Sequence, residues 1–217
     1  MPFSDNIAHI ETTRKTEIGY RLFVPNQYDP NKSWPLFLFL HGIKKRGKDI
    51  SLLHNYGFLK HAENSDNFPY FILAPQCPSY TFWPAVRQEV ITLVSNVIMS
   101  YNIDKKQVYV TGFSMGGNGT WDIAIHSPEL FAAAVPIAGW HEQEAAQSIH
   151  IPVWAFHGAE DDVVPVSGSI EMINGMKQSN RDVRFTSYPG LKHGHEVMEQ
   201  TYSNPELYEW LKKMSDR

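Results

Sequence analysis

Residues 107–117 read Gln107-Val108-Tyr109-Val110-Thr111-Gly112-Phe113-Ser114-Met115-Gly116-Gly117. A short β-branched and aromatic run leads into a glycine-flanked serine, and helix-compatible residues follow. The spacing Gly-x-Ser-x-Gly in a strand-turn-helix setting marks a serine on a tight turn, with glycines removing side chains where the strand reverses into the helix. The alternative, a serine capping a helix after a phosphate-cradling turn, calls for a lysine after the glycines. Asn118, Gly119 and Thr120 stand there instead.

Working outward, near-continuous apolar runs at 35–40, 70–74, 108–111, 132–137, 153–156 and 183–188 read as strands buried on both faces. Segments 11–14 and 18–24 read as an opening antiparallel hairpin. Helices are expected at 84–101, with Pro84 at its first position, and at 49–62, 115–126, 167–178 and 205–214. Strands alternating with helices behind a hairpin specify an α/β fold: a mostly parallel twisted sheet with helices on both faces. Chemistry in such sheets gathers at the carboxyl ends of the strands.

Composition bounds the rest. The 217 residues are 42% hydrophobic, enough for one sizeable core, so a single domain over 1–217 is expected. With 19 Lys plus Arg against 23 Asp plus Glu, the formal charge is -4, and no nucleic-acid partner is expected. The longest apolar stretch, Trp34 to Leu40, falls far short of the roughly 20 residues that cross a bilayer, so no membrane partner is expected. Met1 to Asn6 shows no secretory pattern, and the single cysteine, Cys77, allows no intrachain disulfide; both point to the cytoplasm. Oligomeric state is not written in these features.

A serine hydroxyl needs an imidazole to take its proton and a carboxylate to hold that imidazole. Downstream, strand 153–156 runs into His157-Gly158-Ala159-Glu160-Asp161-Asp162-Val163-Val164-Pro165, and strand 183–188 into Pro189-Gly190-Leu191-Lys192-His193-Gly194-His195. The glycine before His195 favours that residue over His193 as the base, because it lets the loop turn the ring back toward Ser114. His193-x-His195 lacks a further ligand at metal spacing, so neither a metal nor a cofactor is expected. His41, His141 and His157 read as hydrogen-bonded structural histidines, and Cys77 as a small buried hydrophobe.

The chain resembles the α/β-hydrolase superfamily. Within it, the resemblance is to the small carboxylesterase, dienelactone hydrolase and predicted-peptidase-like serine esterases. It rests on Leu40-His41-Gly42, Ala74-Pro75-Gln76-Cys77-Pro78, Gly112 to Gly117 and the His157 to Pro165 loop. The pattern His-Gly-x-x-Asp-x-x-Val-Pro implies Asp161 as the acid, where spacing leaves Asp161 and Asp162 open. The resemblance implies an oxyanion hole from the N–H groups of Met115 and Ile43. The loop Ile43-Lys44-Lys45-Arg46-Gly47 departs from the usual small residues and acid. Dienelactone hydrolases place cysteine on the turn; this chain has serine.

The expectation is a serine carboxylesterase acting on short, soluble small-molecule esters through an acyl-enzyme, with Ser114, His195 and Asp161 as the triad. Too few residues separate Ala138 from Pro152 for a cap domain, and Trp83 and Trp140, with Tyr80 and Phe82, are candidate pocket walls. The alternatives are a small oligopeptidase or thioesterase on the same triad, and a non-catalytic receptor of the same fold.

Overall fold

The computed structural model describes residues 3–11, 15–176 and 182–215. Eight strands form one sheet in the order β1-β2-β4-β3-β5-β6-β7-β8. They are β1 (Phe3–Glu11), β2 (Lys15–Phe23), β3 (Trp34–Leu40), β4 (Phe71–Pro75), β5 (Ile103–Phe113), β6 (Ala133–Ile137), β7 (Val153–Gly158) and β8 (Val183–Tyr188). β1 and β2 pair antiparallel, β2 joins β4 antiparallel, and every other pairing is parallel. The hairpin is longer than its sequence pattern implied, and 12–14, part of its expected first strand, lie outside the described residues. β8 is the sheet edge and only half buried, unlike the buried strand expected there.

Successive side chains of β3 serve opposite faces. Leu36, Leu38 and Leu40 enter one core with residues of α2 (Arg87–Ser100), α3 (Met115–His126) and α4 (Ser167–Met176). Phe37 and Phe39 enter the other, against α1 (Gly57–Glu63), α5 (His195–Tyr202) and α6 (Pro205–Ser215). Burial of large apolar side chains, each stabilising by about 1.5–3 kcal/mol, holds both layers on the sheet.

Helix expectations hold for α3, which matches 115–126, and α6, which runs one residue further. The segment 49–62 divides into a 3-10 turn (Ile50–Leu53) and α1, because Asn55 and Gly57 take positive φ (51° and 53°) and break the hydrogen-bond ladder between them. The segment 84–101 likewise begins as a 3-10 turn (Trp83–Val86) before α2. Of 167–178, Lys177 and Gln178 lie outside the described residues. α5 has no counterpart among the expected helices. Between β6 and β7 there is one 3-10 turn, Gln143–Ser148, and no inserted cap. Among the described residues, no helix is long and apolar enough to cross a membrane.

Candidate active site

At the end of β5 the chain turns through Ser114 at φ 58°, ψ -119°, a conformation that costs a non-glycine residue about 1–3 kcal/mol. The turn is held by Ser114 N–H donating to Ile137 O (2.9 Å) and Asn118 N–H donating to Ser114 O (3.0 Å). A Cβ on Gly116 would collide with Leu40 O, and one on Gly112 with Gly116 O. The two flanking glycines therefore let β3, β5 and α3 close around the turn.

The expected acid lies in the loop after β7. The Asp161 side chain is fully buried, and its Oδ1 accepts from the N–H groups of Val163 (3.0 Å) and Val164 (2.8 Å). Its Oδ2 faces His193 Nδ1 at 2.7 Å, and His193 Nε2 lies 2.8 Å from Ser114 Oγ. Burial pushes the Asp161 carboxyl up, but the hydrogen bonds from His193, Val164 and Val163 outweigh it and hold the group below its ordinary value. An ionised Asp161 accepts only. His193 therefore carries its proton on Nδ1 and presents the Nε2 lone pair to the serine hydroxyl. Asp162, the neighbouring candidate, points outward and pairs with Lys192 at 3.3 Å.

His193, not His195, stands between Ser114 and Asp161. The loop after β8 is tied to the acid loop: Ala159 N–H donates to Tyr188 O (2.9 Å) and Glu160 N–H to Leu191 O (3.0 Å), which brings residue 193 over Asp161. The ring is only 11% exposed and packs on Phe113, with ring centroids 4.7 Å apart. Gly194 is the extended N-cap of α5 rather than a loop pivot. His195 opens that helix, 68% exposed, with Nδ1 3.6 Å from Glu196 Oε2. A signal in the sequence pointed there: Glu196 at a first turn, then apolar or aromatic Val197, Met198 and Tyr202 at helical spacing.

The two expected oxyanion donors sit at the first positions of short helical elements. Met115 opens α3, and Ile43 opens a 3-10 turn, Ile43–Lys45. No hydrogen bond among the described residues engages either N–H. Gly42 brings the second loop against the first, since a Cβ there would lie 3.6 Å from Ser114 Cβ. His41 secures this loop: its Nδ1–H donates to Gly42 O (2.7 Å), its Nε2 accepts from Cys77 N–H (2.9 Å), and its carbonyl accepts from Trp83 Nε1–H (3.1 Å). Trp83 is thus buried beneath the loop and supports it; it is not a pocket wall. The basic stretch after Ile43 leans outward, with Arg46 donating to Thr81 O (2.8 Å) and lying over the Phe82 ring.

Burial lowers the His41 ring to about 4. In the unfolded chain the ring protonates near pH 6.5, so as pH falls below that value the unfolded state takes up a proton that the folded state refuses. Stability should drop by about 2 kcal/mol between pH 7 and pH 5 from this group. In urea unfolding, the loss of stability from pH 7 to pH 5 should be smaller in His41→Gln than in the parent by about that amount.

A cleft of about 340 Å³ opens beside Met115, lined by Phe82, Pro84, Asn118, Trp140, His141 and Glu142. Trp140, half exposed, lines this cleft, and its backbone N–H donates to Asn118 Oδ1 (2.8 Å). His141 and His157 are hydrogen-bonded as expected, and Cys77 is buried, its thiol pushed up to about 12 by burial. Among the described residues, no group of three or more His, Cys, Asp or Glu side chains is arranged to hold a metal ion.

The profile of the dienelactone hydrolase family matches residues 4–209, nearly the whole chain. The chain belongs to the dienelactone hydrolase family. This member is 28% identical over 170 residues to a probable feruloyl esterase C of Aspergillus terreus, covering 74% of this chain and 61% of that protein. It is 27% identical over 167 residues to a bifunctional acetylxylan esterase/xylanase of Neocallimastix patriciarum, covering 74% of this chain and 23% of that protein. Among solved structures, a thermostable esterase superposes with a TM-score of 0.83 at 33% identity, over 98% of this chain and 63% of that one. The chain thus spans less than two thirds of each of these three relatives, and its eight-stranded sheet is an α/β-hydrolase fold.

Proposed function

We propose that this family member is a serine carboxylesterase that cleaves short, soluble esters through an acyl-enzyme, with Ser114, His193 and Asp161 as its triad. The observation that carries this is the unbroken hydrogen-bonded chain from Ser114 Oγ through His193 to Asp161 Oδ2 on a strained turn. The esterase names of its relatives support the same bond class.

In this reading His193 Nε2 takes the proton of Ser114 Oγ as the oxygen attacks the ester carbonyl. Asp161, ionised and buried, stabilises the imidazolium that forms. The N–H groups of Ile43 and Met115, which no hydrogen bond among the described residues engages, receive the negative charge developing on the carbonyl oxygen. His193 then returns the proton to the departing alcohol, and a water activated by the same ring releases the acid.

The small cleft and the absence of a cap between β6 and β7 favour short acyl chains. Across nitrophenyl esters from acetate to palmitate, kcat/KM should peak at acetate to butyrate and fall at least about tenfold by palmitate, with no jump at the micelle threshold. A palmitate optimum or interfacial activation would overturn the short-chain assignment. Faster cleavage of an aminoacyl anilide than of any ester would overturn the esterase assignment.

A further inference from the structure

One buried imidazole beside Asp161 has no part in that mechanism. His157, at the end of β7, is fully buried. Its Nε2 lies 2.9 Å from Val164 O and 3.2 Å from Asp161 Oδ2, the same oxygen that faces His193. Its Nδ1 lies 2.8 Å from Ser169 Oγ in the first turn of α4. A carbonyl and a carboxylate can only accept, so Nε2 must carry a proton. In a neutral ring Nδ1 is then an acceptor; the Ser169 hydroxyl stands between it (2.8 Å) and Gly139 O (3.0 Å), and its one hydrogen serves Nδ1 when the ring is neutral. Burial lowers the ring's affinity for a second proton, in keeping with the neutral form.

We propose that His157 is a positioning residue for ester hydrolysis: its single Nε2–H, bonded to Val164 O at 2.9 Å, is shared with Asp161 Oδ2 at 3.2 Å and so helps aim that carboxylate at His193. This rests on the triad reading above. Oδ1 is already held by two backbone N–H groups, so His157 completes the set that fixes the carboxylate plane. It also disperses charge on Oδ2. Without it, Asp161 would pull harder on His193 and favour the imidazolium in the free enzyme, where a protonated base cannot accept the serine proton.

The titratable groups near this carboxylate are few. From the loop after β8 His193 faces it, while Lys192 is drawn outward to Asp162. From its own loop Glu160 and Asp162 are exposed, and α4 presents the uncharged Ser169.

The test compares the parent with His157→Leu and His157→Gln, whose amide N–H can reach the position of Nε2. In His157→Leu, kcat should fall about tenfold to a hundredfold with KM within about twofold. Its acid limb of kcat/KM should move up by roughly one pH unit. His157→Gln should restore the limb and much of kcat, which a purely space-filling role would not produce. Because the leucine variant removes a buried polar group and can fail to fold, ¹⁵N NMR of the parent provides a second measurement: at neutral pH His157 should be the neutral, Nε2-protonated tautomer.

A leucine variant with the parent's kcat and limb, or a His157 protonated on Nδ1 alone, would overturn the inference. Fluorophosphonate labelling run alongside separates the two levels. A Ser114→Ala protein that still labels would overturn the triad reading and the inference with it. An inert Ser114→Ala with a fully active His157→Leu would sink only the role of His157.

Discussion

Replacing Ser114 by Ala is expected to cut kcat for ester hydrolysis by about 10⁴-fold or more and to abolish covalent labelling by a fluorophosphonate. The hydroxyl is the only group on the strained turn that His193 can deprotonate, since His193 Nε2 lies 2.8 Å from Ser114 Oγ. Alanine keeps the backbone N–H of Met115 and the packing of Gly112 and Gly116, so folding should survive. The change should also relax nothing in substrate binding, and KM for residual turnover should stay close to the parent's. Labelling that persisted would place the nucleophile elsewhere.

The two histidines of the loop after β8 should separate just as sharply. His193→Ala should lose about 10⁴-fold in kcat, because among the described residues no other imidazole stands between Ser114 Oγ and Asp161 Oδ2. His195→Ala should stay within about threefold of the parent, since its exposed ring faces Glu196 at 3.6 Å and a surface side chain at a helix start contributes little. Steady-state kinetics on an acetate ester, with circular dichroism to show that both variants fold, decides the matter. The reverse pattern would return the base to position 195 and require the loop to rearrange in solution.

The serine turn and the sheet around it were legible in the chain because their causes are local. Gly112 and Gly116 are demanded by backbone closeness at a turn, Pro84 and the apolar spacing of 86–101 by helix geometry, and the β3 run by burial on both faces. Asp161 became readable through the His157 to Pro165 pattern, and its burial beside two backbone N–H donors gives that pattern a physical reason: a carboxylate so held stays ionised and fixed in direction.

His193, Trp83 and the break inside 49–62 could not be read the same way, because each is settled by contacts distant in sequence. Gly194 looked like a pivot for His195, yet it caps α5, and hydrogen bonds from Ala159 and Glu160 to the strand-end loop bring position 193 over the acid. Trp83 looked like a pocket wall from its place after a strand, yet its indole N–H is claimed by His41 O, 42 residues earlier. Local composition specified a strand-turn-helix with a serine at its apex. Which imidazole meets that serine, and which aromatic faces solvent, followed only from how β3, β5, β7 and β8 lie side by side, because a ring two residues along a loop can be carried several ångströms away when the next helix begins.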